Sequence, residues 1–186
     1  VKLFKVGDRV THASMPIGAY SEKQIMPEEK LVSVPDGVSD EVASCITLKG
    51  ITAEYLLHRA YRLKKGDKVL YHAAAGALGQ ILCPWANALG AEVIGTVGSK
   101  AKEEIAKKNG CHHVINYSEK DFVKEVEKIF GKNSLDVVYD GVGSKTFKGS
   151  IETLKIRGMM VAFGNASGYV ETLDIKKDIN AKGLFF

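Results

Sequence analysis

Little in this sequence commits it to a membrane, an oxidising compartment or a polyanion. No run of about 18 uncharged apolar residues occurs, as a membrane-spanning helix would need, and Val1-Lys2-Leu3-Phe4-Lys5 lacks the apolar core of a secretory signal. The three cysteines, Cys45, Cys83 and Cys111, are far apart and form no Cys-x-x-Cys pair. An odd, scattered set fits reduced, inert thiols in a cytosol-like, cytoplasmic setting rather than a disulfide framework. The formal charge of +4 is mild, and acids and bases are interspersed. Without a basic stripe interleaved with aromatics, a nucleic-acid partner is not expected. Internal repeats and low-complexity tracts are also missing, and 186 residues suffice for one sizeable core and part of another. Both ends read as cut, with Gly183-Leu184-Phe185-Phe186 resembling the opening of a further strand.

The most informative feature present is Lys68-Val69-Leu70-Tyr71-His72-Ala73-Ala74-Ala75-Gly76-Ala77-Leu78-Gly79, a short apolar strand, a tight turn of small residues and the opening of a helix. The spacing Ala74-x-Gly76-x-x-Gly79 is the G-x-G-x-x-G dinucleotide fingerprint with alanine in the first place. Gly76 would let the backbone approach a pyrophosphate, Gly79 would let the helix lie close on the sheet, and the N–H groups around Ala77 and Leu78 would face the anion. A second strand, Glu92 to Val97, follows at the spacing of a βαβ unit.

From there the pattern alternates: helix about 100–109, strand 113–116, helix about 119–130, strand 135–140, helix about 145–154, strand 158–163. Such alternation predicts an α/β fold, a doubly wound parallel sheet of the Rossmann type. Residues 1–36 differ, with the turn signals Gly7-Asp8-Arg9-Val10 and Gly18-Ala19-Tyr20-Ser21 beside short β-prone runs, and read as the tail of an all-β domain. Residues 37–186 read as the cofactor domain. Ser39-Asp40-Glu41 opens a capped helix in which Ala43, Ile46, Leu48, Ala53, Leu56, Leu57 and Ala60 recur at roughly helical spacing. Pro84 lies inside the helix after the turn, where it removes a backbone bond.

A dinucleotide fold that prefers NAD places Asp or Glu at the end of its second strand to bind the ribose 2′-hydroxyl. Here that strand ends Gly95-Thr96-Val97-Gly98-Ser99-Lys100-Ala101-Lys102, and its acid, Glu92, lies at the opposite end. A 2′-phosphate would meet Ser99 and the ammonium of Lys100 or Lys102, which favours NADPH over NADH.

Several motifs in order and spacing carry a family resemblance: Gly7-Asp8-Arg9-Val10, Leu48-Lys49-Gly50-Ile51-Thr52, His72-Ala73-Ala74-Ala75-Gly76, Val114-Ile115-Asn116-Tyr117, Val138-Tyr139-Asp140 and Phe163-Gly164-Asn165-Ala166-Ser167-Gly168. With them, nearly the whole chain resembles quinone oxidoreductases of the zeta-crystallin type, the zinc-free branch of the medium-chain dehydrogenases/reductases. The resemblance implies that residues 1–36 are a remnant of a GroES-like domain. It implies that Lys102 and Tyr117, beside Gly98 and Ser99, hold the 2′-phosphate and adenine end, that the turn at Gly76–Gly79 holds the pyrophosphate, and that Thr52 lies near the nicotinamide. It further implies that the loops containing Val142 and Phe163-Gly164-Asn165-Ala166 close over the ribose and nicotinamide, and that the whole protein is a homodimer joined by sheet edges.

Relatives with a structural zinc lobe carry closely spaced cysteines after the Gly-Asp-Arg-Val strand, and here no Cys occurs between Val10 and Ser44. Leu48 stands where a catalytic-zinc relative would place a cysteine ligand, and His112-His113 sit adjacent on a predicted strand, where their rings would diverge. No metal is expected. The function implied is NADPH-dependent reduction of a small-molecule quinone, with no residue standing out as a proton donor. Three alternatives stay open: a zinc-free reductase of an enone or alkenal, a non-catalytic NADPH-binding role of the crystallin kind, and RNA binding. The isolated chain is expected to bind NADPH weakly and to be inactive, since part of the nicotinamide pocket would lie outside it.

Overall fold

The computed structural model describes residues 2–13 and 16–186. Val1, Ser14 and Met15, which belong to the N-terminal stretch read as β-rich, lie outside the described residues. The chain divides into two compact units, residues 1–52 and 53–186.

In the first unit, β1 (Val10–Thr11) pairs antiparallel with β2 (Val32–Ser33). The Gly-Asp-Arg-Val signal is a turn: Gly7 takes a φ of 97°, and the Lys5 N–H donates to the Asp8 carboxylate at 2.9 Å. Arg9 reaches Asp40 and the Val38 carbonyl, both at 2.6 Å, at the start of α1 (Asp40–Tyr55). Ser39 Oγ accepts from the Val42 N–H at 3.3 Å, as an N-cap does. Of the apolar positions that recur along α1, Ala43 and Ala53 are buried, whereas Ile46 and Leu48 are exposed.

The second unit is built on five parallel strands: β3 (Lys68–Tyr71), β4 (Glu92–Val97), β5 (His113–Asn116), β6 (Leu135–Asp140) and β7 (Leu154–Ala162). They lie in the order β5-β4-β3-β6-β7. The order reverses between β3 and β6, and in open sheets of this kind ligands bind beyond the carboxyl ends of the strands at that switch point. Between the strands run α2 (Gly79–Ala88), α3 (Lys100–Lys108), α4 (Phe122–Phe130) and α5 (Phe147–Thr153).

Alternate strand residues face opposite sides of the sheet, and both sides are covered. Val69, Tyr71, Val93, Val97, Val137 and Tyr139 pack with Leu82, Cys83 and Ala86 of α2 and Ala106 of α3. Leu70, Ile94 and Val138 pack on the other side with Val126 of α4 and Phe147 and Ile151 of α5. Such runs are uniformly apolar because both faces are buried, and each full burial of a Val, Leu or Ile side chain contributes about 1.5–3 kcal/mol. Asp121 caps α4 by accepting from the Val123 N–H at 2.9 Å, and Gly131, at a φ of 87°, ends it.

The last strand begins earlier than the sequence pattern suggests, at Leu154 rather than 158. Leu154 pairs with Leu135, a register irregularity follows with Arg157 at a φ of 60°, and regular pairing resumes at Met159 with Val137. The strand signal at the end of the chain is present as a parallel bridge from Phe185 to Met159. Among the described residues, no helix is long and apolar enough to cross a membrane.

Candidate functional site

The turn after β3 is held from both neighbouring strands. The His72 N–H donates to the Tyr139 carbonyl at 3.3 Å, the Ala74 N–H to the Thr96 carbonyl at 2.9 Å, and Ala73 takes a positive φ of 61°. A Cβ on Gly79 would stand 2.3 Å from the Ala74 carbonyl oxygen, so α2 leaves the strand end at a distance that glycine alone allows. Alanine fits the first fingerprint position for a complementary reason. A Cβ on Gly95 of β4 would lie 2.5 Å from the Ala74 methyl, and the missing side chain on one strand makes room for the methyl on the other. Gly76 and Ala77 are exposed, and among the described residues the N–H groups of Ala77 and Leu78 have no acceptor. Free N–H groups at the start of α2 can receive an anion such as a phosphate.

A second corner forms where β4 and β5 end. Val97 pairs with Asn116, and the Tyr117 N–H donates to the Val97 carbonyl at 3.0 Å. A Cβ on Gly98 would be 2.7 Å from the Tyr117 hydroxyl, so the phenol lies over the turn that leads into α3. Ser99, Lys100 and Lys102 are exposed, and Lys102 forms no ion pair among the described residues. Glu103 is turned to Asn116, whose amide donates to it at 3.2 Å, while Glu92 pairs with His113 at 3.1 Å at the other end of the strand. At this strand end Gly98 lies beneath the Tyr117 phenol, and the Lys102 N–H donates to the Ser99 carbonyl at 3.0 Å.

The third part is a pair of loops following β6 and β7. Phe163 donates its N–H to Asp140, Ala166 to Gly141 and Ser167 to Val142, at 3.0, 3.2 and 2.7 Å. The Ser144 hydroxyl adds a 2.8 Å bond to the Ser167 carbonyl. Close approach is what the glycines supply: a Cβ on Gly164 would meet the Gly141 oxygen at 2.7 Å, and one on Gly141 would meet the Phe163 ring at 2.8 Å. The Phe163 ring stacks on Tyr71 with centroids 6.3 Å apart. Val142, Phe163, Gly164, Asn165 and Ala166 therefore sit together at the switch point. Thr52 belongs to the first unit, where its hydroxyl donates to the Leu48 carbonyl at 2.7 Å.

One group of residues drew no functional reading from the sequence. Beneath the loops, His72, Thr96, Asp140, Thr146 and Ser150 form a buried polar network. His72 Nδ1 lies 2.9 Å from the Thr96 hydroxyl and Nε2 lies 2.9 Å from the Ser150 hydroxyl. Burial pushes the His72 imidazolium pKa down to about 4, against the opposing pull of Asp140. The available signal was a polar residue ending each of two apolar strands, His72 after β3 and Asp140 in β6. Its meaning depends on a pairing across the sheet that linear spacing does not show.

Strand order and turn geometry define a doubly wound domain of the Rossmann type. The chain belongs to the zinc-binding dehydrogenase family, whose model matches residues 77–185. It is 47% identical over 185 residues to a 2-haloacrylate reductase of a Burkholderia species, covering 98% of this chain and 56% of the relative. It is 45% identical over 175 residues to a quinone oxidoreductase of Pseudomonas aeruginosa, covering 94% of this chain and 54% of that one. The crystal structure of Escherichia coli quinone oxidoreductase complexed with NADPH matches with a TM-score of 0.95 at 44% identity, over 100% of this chain and 57% of that one. The resemblance read from the motifs therefore holds, and the chain spans a little over half the length of these relatives. Among the described residues, no three of His, Cys, Asp and Glu come together as a group that could hold a metal ion.

Proposed function

We propose that the chain is the NADPH-binding part of a reductase that passes reducing equivalents to a small-molecule quinone. The observation that carries this reading is the pairing of the anion-ready turn at Gly76–Gly79 with the corner of Ser99, Lys102 and Tyr117, at a strand end where Glu103 is engaged by Asn116. The pyrophosphate would lie on the N–H groups around Ala77 and Leu78, beside Ala74, Gly76 and Gly79. The 2′-phosphate would lie between Gly98, Ser99, Lys102 and Tyr117. The nicotinamide half would lie against Val142, Phe163, Gly164, Asn165 and Ala166. NADPH, when bound, supplies the reducing equivalents, and the protein binds, orients and shields it from water.

In this reading residues 1–36 are the remnant of a GroES-like substrate domain, supported by the antiparallel β1–β2 ribbon, and residues 37–186 are the cofactor domain. The whole protein would be a cytoplasmic homodimer, with the three free thiols in keeping with a reducing compartment. A specific likeness favours one second reading. The 47% identity to a 2-haloacrylate reductase makes an activated carbon–carbon double bond the alternative acceptor.

Turnover distinguishes the two. With the full-length protein and NADPH consumption followed by absorbance, a benzoquinone is expected to be reduced faster than 2-chloroacrylate; the reverse order would assign the protein to the second reading. Substituting Lys102→Ala is expected to weaken NADPH about thirtyfold, the equivalent of about 2 kcal/mol for a charge-assisted hydrogen bond, and to leave NADH nearly unchanged. Equal losses for both cofactors in calorimetric titration would remove Lys102 from the phosphate site.

A further inference from the structure

We infer that Asp140 is a positioning residue that sets both loops on the nicotinamide side of the site; the inference rests on the function proposed above. Asp140 is fully buried, and a buried carboxylate is tolerated where hydrogen bonds replace the water it has lost. Its Oδ1 accepts from the Val142 and Gly143 N–H groups at 2.8 and 3.0 Å. The Thr146 hydroxyl donates to it, 2.9 Å from Oδ1 and 2.8 Å from Oδ2, and the Ser150 hydroxyl lies 3.1 Å from Oδ2. Every one of these donors belongs to the segment that leaves β6 and turns into α5.

The hydrogen-bond inventory gives the network a direction. Ser150 has one proton and two neighbours that only accept, the Asp140 carboxylate at 3.1 Å and the Thr146 carbonyl at 2.9 Å, so that proton is shared between them and Ser150 Oγ is left to accept from His72 Nε2–H. His72 Nδ1 is then an acceptor, and the Thr96 hydroxyl donates to it. Buried donors thus run from β4 through the end of β3 and through α5 to one carboxylate, which turns the Val142 and Gly143 N–H groups inward. The same short segment presents its carbonyls outward: Gly141 and Val142 accept from Ala166 and Ser167 of the other loop. Asp140 shapes the first loop, and the first loop shapes the second.

The other two corners are held by backbone hydrogen bonds of their own, and Asp140 meets them only through the His72 and Thr96 side chains. The Gly-rich turn hangs on the Thr96 and Tyr139 carbonyls, and the corner at Ser99, Lys102 and Tyr117 on the β4–β5 pairing. Loosening Asp140 therefore affects one half of the cofactor and spares the other.

The test compares NADPH with 2′,5′-ADP, which carries the adenine and the 2′-phosphate and lacks the nicotinamide half, by calorimetric titration of the wild type, Asp140→Asn, Thr146→Val and Thr146→Ser. Thr146→Val keeps the shape of the side chain and removes its hydroxyl, so it carries the test if Asp140→Asn fails to fold. The expected result is about tenfold weaker NADPH binding in the first two variants, the loss of about one hydrogen bond to a charged group. Binding of 2′,5′-ADP should stay within about twofold of wild type, below the scale of one such bond, and Thr146→Ser should behave as wild type. Equal weakening of both ligands, or unchanged NADPH binding, overturns the inference and leaves the proposed function standing. A wild type that binds neither ligand overturns both.

Discussion

Replacing Gly79 with alanine is expected to destabilise the protein by about 3 kcal/mol or more, at the upper end of what overpacking costs. The added methyl would stand 2.3 Å from the Ala74 carbonyl oxygen and 2.6 Å from its carbon. Both are backbone atoms of a residue whose N–H is tied to the Thr96 carbonyl, so no rotamer change relieves the clash. The helix would have to move away from the sheet, exposing Leu82, Cys83 and Ala86, all now fully buried. Gly76→Ala is the informative control. Its Cβ would lie 3.1 Å from the Ala73 oxygen in otherwise open space, which a small backbone adjustment accommodates. Gly76→Ala should keep nearly wild-type stability in urea and lose NADPH affinity, because the methyl occupies the surface that the pyrophosphate would approach. If both substitutions cost the same stability and neither altered cofactor affinity, the turn would be structural only.

The second large effect is acid sensitivity. His72 has an ordinary pKa of 6.5 when unfolded, and burial lowers it to about 4 in the folded protein. Between those values the unfolded chain binds a proton that the folded chain refuses, so protonation favours unfolding. The stability associated with the neutral ring is complete above about pH 6.5 and is lost progressively as the pH falls towards 4, on the order of 3 kcal/mol at about 1.4 kcal/mol per pH unit. Urea midpoints measured through that window should fall steeply for the wild type. The profile of His72→Gln should be flatter over the same range, from a lower starting stability. Parallel profiles would place the acid sensitivity elsewhere.

Much of this molecule is legible in its residues because the signals are local. Val69-Leu70-Tyr71 followed by small residues marks a strand entering a tight turn, and the uniformly apolar Val93-Ile94 and Val137-Val138 pairs mark strands buried on both faces. Asp121 and Gly131 bracket α4 as cap and stop, although the helix begins at Phe122 rather than near 119. The early part of β7 was hidden because Lys155, Ile156 and Arg157 are exposed and lie in a break of register, so they show neither alternation nor an apolar run. The buried network was hidden for a different reason. His72 and Ser150 are 78 residues apart and meet only because the strand order brings β3 beside β6. A sequence gives that order as a fold class, without saying which polar side chains then face one another.

The proposed function turns on the 2′-phosphate, and parallel calorimetric titrations of the protein with NADPH and NADH at moderate salt test it most directly. NADPH should bind tighter by about thirtyfold, the worth of about one charge-assisted hydrogen bond. Equal affinities, or tighter NADH, would contradict the account.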